Sequence, residues 1–299
     1  EDQGYAFLSL NMKPGTSLTE TSKLLASMDK ELAKIPEIEY RSDISGYSFS
    51  GAGPSMGMYI ITLKPWEQRK GKEHSVESVI NRLYGLSAKF PEASIFMMMP
   101  PMISGYGQSS GFELNLQDMA GSKIEDLKAV SDKFVAALSK RKEIGQAYSS
   151  FDINYPQYWV DVDAAQCAKA GVQPSDVLET ISGYYSGSYA SNFNRFTRLY
   201  RVMTQAEPDS RVTPESFNNI YVRVGNGDMA PVTRFARLTK TKGPQNLDRF
   251  NLFNAITISG TPADGYSSGD AIKAIKEVAG KVLPRNYSYE FGGITREES

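Results

Sequence analysis

Disulfide chemistry is closed to this sequence, because Cys167 is its single cysteine and its 299 residues must fold by packing alone. That usage fits a cytoplasmic protein and an unstapled periplasmic one equally. His74 is the single histidine, which leaves none of the usual His/Cys spacings that hold a transition metal. Charge of one sign is lacking as well: 33 Lys and Arg balance 34 Asp and Glu, for a formal net charge of −1, so no broad basic field awaits nucleic acid or anionic lipid. Long apolar runs are missing. The segment from Ile95 to Ile103 comes nearest, but Pro100 and Pro101 break it and it falls far short of the roughly 20 residues that span a bilayer. No signal peptide is visible, and the chain opens at Glu1-Asp2-Gln3-Gly4 without methionine; the expectation is a segment excised from a longer protein. What remains is an ordinary folding composition, 40% hydrophobic and 22% charged, in a chain long enough for two or more subdomains.

Periodicity gives the organisation. Tyr5 to Met12 reads as a strand and Pro14-Gly15 as a turn. Ser17 and Glu20 stand at capping-box spacing before Leu24, Leu25, Met28, Leu32 and Ile35, which recur at helical intervals. Ile38 to Ser48 and Gly57 to Leu63 follow as strands, Val76 to Phe90 as a helix and Ser94 to Met99 as a strand. This order, βαββαβ, is the ferredoxin-like unit. A second unit starts with a strand at Phe112 to Gln117, a helix capped by Ser122 and Glu125, and a strand at Ile144 to Phe151. It resumes only at Phe253 to Ser259, with a helix over Ser268 to Val282 and a strand over Tyr287 to Phe291. The interruption carries strands and two short helices of its own, so it is an inserted subdomain rather than a loop. The fold class predicted is α+β, with two ferredoxin-like units over 1–110 and over 111–153 plus 244–293. An α+β insertion fills 154–243, and 294–299 is a tail.

Catalytic chemistry is not supported. His74 lies in a charged stretch and reads as a solvated loop residue, and Cys167 in a helix-like run reads as a small packing residue. Gly51-Ala52-Gly53-Pro54 lacks the Gly-Lys-Ser/Thr ending of a phosphate loop. Asp161 and Asp163 alternate with Val160 and Val162, which places both on one solvated strand face. Glu297 and Glu298 read as a solvated tail. No cofactor is expected.

The unusual residues lie elsewhere. A ferredoxin-like sheet carries helices on one face, so strands with a solvated second face should alternate apolar and polar. Here Ile95, Met97 and Met99 oppose Phe96 and Met98, while Met58, Ile60 and Thr62 oppose Tyr59, Ile61 and Leu63. Both faces are apolar, so the second must be covered or must hold something. Met97-Met98-Met99-Pro100-Pro101-Met102 admits two readings, core filling at a subdomain interface or an adaptable binding surface. Ser45 to Gly53, rich in glycine and serine, is either a hairpin turn or a mobile loop presenting Tyr47 and Phe49.

Short motifs then identify a family. Leu63-Lys64-Pro65-Trp66-Glu67-Gln68-Arg69, Gly111-Phe112 with Leu116-Gln117-Asp118, and Tyr155-Pro156-Gln157-Tyr158-Trp159-Val160-Asp161-Val162-Asp163 occur in the family's order. So do Asn192-Phe193-Asn194-Arg195-Phe196, Asn226-Gly227-Asp228-Met229-Ala230-Pro231 and Gly265-Tyr266-Ser267-Ser268-Gly269. Together they cover nearly the whole chain. They resemble the hydrophobe/amphiphile exporter branch of the resistance–nodulation–division (RND) multidrug efflux pumps, acriflavine-resistance B-type.

The resemblance implies that the two βαββαβ units are porter subdomains and the insertion half of a docking domain. Residues 294–299 would lead to the membrane region of an inner-membrane protein of a Gram-negative bacterium, with this segment in the periplasm. It implies hydrophobic and amphiphilic drugs as ligands, a periplasmic adaptor (membrane fusion) protein and an outer-membrane channel as partners, and a homotrimer for the full pump, the isolated segment being monomeric. Proton-relay residues belong to membrane helices outside this segment. Position by position, Tyr47, Phe49 and Phe96 match kept aromatics, and Ile44 lies on the same flexible segment. Ser42, Ile60 and Met98 stand where other members use phenylalanine. Ser45, Gly46, Ser48, Gly51 and Gly53 form the switch loop between outer and inner pockets. Gly105 replaces an acidic residue near the entrance, and no arginine stands near Ser149. A stand-alone ferredoxin-like ligand-binding regulatory protein is the alternative. An acylphosphatase-like enzyme would need an arginine cradle where Lys13-Pro14-Gly15-Thr16-Ser17 stands.

Overall fold

The computed structural model describes residues 2–49, 51–100 and 111–299. The first half runs β1 (Tyr5–Met12), α1 (Leu18–Leu32), β2 (Ile38–Ser48), β3 (Gly51–Leu63), α2 (Val76–Ser87) and β4 (Ala93–Met98). Its four strands form one antiparallel sheet in the order β2-β3-β1-β4. Ser17 caps α1 by accepting from the Glu20 N–H, and Ser75 caps α2 by accepting from the Ser78 N–H. The Glu20 carboxylate does not complete a reciprocal box but meets Lys23 instead. From α1, Leu24, Leu25, Met28 and Leu32 pack on Ala6, Leu8 and Leu10 of β1, on Tyr59, Ile61 and Leu63 of β3, and on Val79, Ile80 and Leu83 of α2. Buried inside that core, the Tyr59 hydroxyl donates to the Leu25 carbonyl at 2.6 Å, so its one polar atom is satisfied.

The second half begins with β5 (Phe112–Asp118), α3 (Ile124–Leu138) and β6 (Ile144–Tyr148). Ser122 does not cap α3, contrary to the expectation. Its hydroxyl and backbone N–H both donate to Asp118, which closes the turn between strand and helix. The chain then passes through β7 (Tyr155–Val162), α4 (Ala164–Ala170), α5 (Pro174–Ser186), β8 (Ser188–Arg195), β9 (Arg198–Thr204), β10 (Tyr221–Arg223), β11 (Met229–Pro231) and β12 (Ala236–Gly243). It returns as β13 (Asp248–Phe250), β14 (Phe253–Pro262), α6 (Ser268–Val282), β15 (Tyr287–Gly292) and α7 (Gly293–Glu298). Here β14 pairs with β5 and with β6, and β15 closes the other side of β5, so Phe112–Asp118 and Phe253–Pro262 share one sheet. A full capping box starts α6: Ser267 Oγ accepts from Asp270 N–H while Asp270 accepts from Ser267 N–H.

The chain divides into two compact units, Glu1–Tyr155 with Gly243–Ser299, and Pro156–Lys242. The smaller unit has its own core, in which Cys167, Val177, Phe217, Val232 and Phe235 are buried. Burial raises the Cys167 thiol pKa and leaves it a packing group. Asp163 does not share a solvated strand face with Asp161, because the strand ends at Val162. Asp163 caps α4, accepting from the Ala165 and Gln166 N–H groups. In the stretch read as a tail, Glu297 and Glu298 are exposed. The stretch folds as α7, whose buried Thr295 accepts from the Glu113 N–H.

His74 likewise departs from a freely solvated loop residue. Its Nδ1 lies 2.6 Å from Oε1 of Glu37, whose side chain is only 3% exposed and also meets Arg82 at 2.8 Å. Burial alone would raise the Glu37 pKa, but Arg82 and His74 outweigh it and hold the carboxyl down at about 2. Next to it, the buried Arg69 guanidinium grips Asp2 and the Lys64 and His74 carbonyls, which ties the loop after β3 to the start of β1. Since the folded pKa of Glu37 lies below its ordinary value of 4.5, its contribution to stability is complete above that pH and is lost as pH falls toward 2. Urea denaturation across this window should therefore show a shallower acid loss for Glu37→Gln than for the parent chain. Equal slopes would refute the assignment.

Candidate functional site

Register decides what lies on the face of the first sheet opposite the helices. Phe7 of β1 pairs with Ile60 of β3 and Met98 of β4, and Ile60 pairs with Ser42 of β2. Ser42, Ile60, Phe7 and Met98 therefore form one transverse row. The next row is Ile44, Met58, Ser9 and Phe96, by the same pairings two residues on. Five of the residues singled out from sequence, Ser42, Ile44, Ile60, Phe96 and Met98, thus fall into two adjacent rows. Phe49 joins them from the hairpin, its ring meeting Phe7 edge to face at 5.2 Å and 71°. Phe7, Phe49, Ile60, Phe96 and Met98 are half-buried, whereas Ser42 and Ile44 are exposed. Beneath them the Ser9 hydroxyl is buried with no hydrogen-bond partner among the described residues.

Tyr47 is not brought into the rows. A register shift between Ser45 and Tyr47 moves it toward the hairpin end, where it pairs with Ala52 and is exposed. Of the two readings of Ser45 to Gly53, the structure has the hairpin: most of the stretch is paired strand, with Ser48 opposite Gly51. Ser48 is buried and its hydroxyl donates to Asn11 Oδ1, while Ser45 accepts from the Ser22 hydroxyl on α1 and the Pro54 carbonyl from Thr21. Gly105 lies outside the described residues, as do Pro101 and Met102.

Where the two βαββαβ halves meet, Phe96 stacks on Tyr148 of β6 with ring centroids 4.6 Å apart and planes 22° apart. Tyr84 of α2 bridges the same junction. Its hydroxyl accepts from the Met97 N–H at 3.3 Å and directs its own proton to the Met97 carbonyl at 3.1 Å or Gln146 Oε1 at 3.0 Å. Burial, with Tyr84 and Glu113 nearby, pushes the Tyr148 phenol up to about 12. Two cavities open at this junction. One, of about 430 Å³, is bounded by Asn11, Met56, Phe96, Phe151, Gln245 and Asn246, among others. The other, of about 480 Å³, has Tyr84, Met98, Met99, Tyr148, Asp264 and Tyr266 among its walls. Both linings mix aromatic and methionine side chains with polar ones, among them Asn11, Gln245 and Asn246 in the first and Gln146 and Asp264 in the second. Among the described residues no group of three or more His, Cys, Asp or Glu is placed to hold a metal ion, and no helix is long and apolar enough to cross a membrane.

Sequence comparison decides the family. The family model AcrB/AcrD/AcrF matches residues 1–299. The chain belongs to the AcrB/AcrD/AcrF family. Its relatives include the multidrug/solvent efflux pump membrane transporter MepB of Pseudomonas putida, 33% identical over 300 residues, covering 100% of this chain and 28% of MepB. The toluene efflux pump membrane transporter TtgB of P. putida strain DOT-T1E is 32% identical with the same coverage. The multidrug resistance protein MdtF of Escherichia coli K12 is 31% identical over 303 residues, covering 100% of this chain and 29% of MdtF. The chain spans less than a third of the length of these relatives.

Phe7 and Tyr148 were not singled out from sequence, and Met58 was read only as part of the second apolar face. Phe7 could have been, since it opposes the core-facing Ala6 and Leu8 in the same two-faced pattern as Ile60 and Phe96. Tyr148 arrives from the other half, and no local pattern announces it. The Tyr84 bridge gives a direct test of the junction. Tyr84→Phe leaves the Met97 N–H without its acceptor and should cost about 1–2 kcal/mol in urea denaturation. An unchanged midpoint would mean that water replaces the hydroxyl and the bridge carries no energy.

Proposed function

We propose that this chain is the drug-binding and docking portion of a proton-driven RND multidrug efflux transporter. It binds hydrophobic and amphiphilic compounds and passes them toward an outer-membrane channel. The observation that carries this reading is the pair of transverse rows, Ser42-Ile60-Phe7-Met98 and Ile44-Met58-Ser9-Phe96, on a sheet face that no helix of its own half covers. An apolar face roofed by Phe49 and edged by the Phe96–Tyr148 stack offers area and shape without a fixed polar pattern, which suits many ligands poorly distinguished by hydrogen bonding. Met58 and Met98 add unbranched, polarisable side chains that adapt to different outlines.

In this reading 1–110 and 111–153 plus 244–293 are porter subdomains, 154–243 is a docking subdomain, and Ser45, Gly46, Ser48, Gly51 and Gly53 belong to a switch element. The parent protein sits in the inner membrane of a Gram-negative bacterium with this segment in the periplasm. It works as a homotrimer with a periplasmic adaptor and an outer-membrane channel, and catalyses no covalent chemistry. The relatives named as multidrug, solvent and toluene efflux transporters support the substrate class. A stand-alone regulatory ferredoxin-like pair would instead bind one polar ligand.

Each large apolar side chain withdrawn from water contributes about 1.5–3 kcal/mol. In the full-length pump, Phe49→Ala and Phe96→Ala should each lower resistance by roughly tenfold for some compounds and spare others, at unchanged protein level. Susceptibility across a chemically varied panel tests this: uniform loss points to a folding role, and no loss takes these residues off the drug path. The isolated chain should sediment as a monomer at micromolar concentration, because the trimer also draws on membrane helices and another periplasmic loop. A stable trimer of the fragment would overturn that assignment.

A further inference from the structure

The hairpin that carries Phe49 is held from a second direction, by residues far away in sequence. Gln245 Nε2 donates to the Ala52 carbonyl at 2.6 Å. The neighbouring glycines make that approach possible. A Cβ on Gly53 would lie 2.2 Å from Gln245 Nε2, and one on Gly51 would lie 2.8 Å from Asn246 Nδ2. Ala52 is the pairing partner of Tyr47, next to the turn at Phe49. The hairpin end is thus gripped on one side by the Ser48–Asn11 hydrogen bond within its own half and on the other by the Gln245–Asn246 segment. Gln245 and Asn246 also border the cavity of about 430 Å³ together with Asn11, Met56 and Phe96. They follow Lys242, the last residue of the inserted unit, by only a few positions.

We propose that Gln245 is a positioning residue: it latches the end of the β2–β3 hairpin, fixes where Phe49 rests over the apolar rows, and so helps decide which compounds the site accepts. The specificity part rests on the reading of this face as a drug site, whereas the latch stands on geometry alone. The Gly51 backbone already has a φ of +134°, so only glycine holds it without strain, and it is a poor position to vary. Gly53 has no such backbone restriction, and the atom its Cβ would strike is the free end of a flexible side chain. Gly53→Ala should therefore evict the Gln245 amide and leave the fold intact. Gln245→Ala removes the donor from the other end, and Gln245→Glu keeps the size while replacing the donor by an acceptor that repels the carbonyl.

Hydrogen–deuterium exchange on the full-length pump reads the latch without any drug. All three variants should speed exchange in the peptide covering residues 45–56 by roughly three- to tenfold, the worth of one neutral hydrogen bond. The double variant Gly53→Ala/Gln245→Ala should be no faster than either single one, because both break the same contact. Unchanged exchange, or additive effects in the double variant, would overturn the latch. In the susceptibility panel, the compounds that respond to Phe49→Ala should respond to Gln245→Glu and the rest should not. Faster exchange with no change in any Phe49-dependent compound would remove the specificity role and keep the latch. If Phe49→Ala itself affects no compound, the drug-site reading fails, the specificity role falls with it, and the exchange result still judges the latch.

Discussion

The pairing of β1 with β3 on one side and β4 on the other is the constraint on which the first half depends. Side chains alternate strictly along a strand, so a slip of one residue would exchange Ala6, Leu8 and Leu10 with Phe7, Ser9 and Asn11. The core would then receive a hydroxyl and an amide with no partners, and the rows of the candidate site would dissolve into the helix layer. Three contacts outside the ladder guard against this. Tyr59 reaches from the core side of β3 to the Leu25 carbonyl of α1. Tyr84 of α2 bonds both backbone groups of Met97 on the edge strand β4. The Leu63 N–H donates to the Gly4 carbonyl just before β1, which fixes the far end of the β1–β3 pair.

That far end is also where the buried charges sit, and the two facts are connected. Arg69 closes the loop after β3 onto Asp2 and so extends the hold on β1 beyond the last ladder bond. Glu37, at the start of β2, meets Arg82 of α2 and His74 of the connecting loop, so one carboxylate ties the edge strand to the helix layer. Such clusters add little net energy when a buried pair is compared with an apolar replacement, but they are costly to break singly. Their effect here is on arrangement. The loop motif Leu63-Lys64-Pro65-Trp66-Glu67-Gln68-Arg69 supplies geometry for β1 and β2 rather than a ligand site, and the exposed Trp66 takes no part in the core.

Much of this was legible in the sequence because the signals are local. Helix α6 spans Ser268–Val282 as its period of apolar residues requires, and Ile38–Ser48 is the strand that its composition predicts. The apolar second face of β3 and β4 was also visible, since it needs only alternation. The errors fall where a polar side chain had two possible partners. Ser122 could cap α3 or close a turn with Asp118, and the buried carboxylate won. Asp163 could continue a strand face or cap α4, and two free N–H groups decided it. The stretch Ser45 to Gly53 left hairpin turn and mobile loop open, and contacts from α1, from β1 and from Gln245 hold it as a hairpin. None of those contacts is visible within the segment itself.

The two halves share one topology but not one chemistry, and this bears on where a ligand can sit. On β5, Phe112, Leu114 and Leu116 belong to the core, as their counterparts do in β1. The opposite face carries Glu113, Asn115 and Gln117, where β1 carries Phe7, Ser9 and Asn11. Asn115 and Gln117 are buried and partnered, accepting from Thr257 and donating to the Phe250 carbonyl. Glu113 has its carboxyl pKa raised by burial. Polar groups committed in this way leave that face of β5 without the apolar area that β1 presents. At the junction the second sheet lays the ring of Tyr148 against Phe96, and Gln146 accepts from the Tyr84 hydroxyl. Strand order alone therefore does not confer binding on either half. In the proposed reading, the capacity lies in the side chains that β1, β3 and β4 turn away from their helices, and in the hairpin that lowers Phe49 onto them.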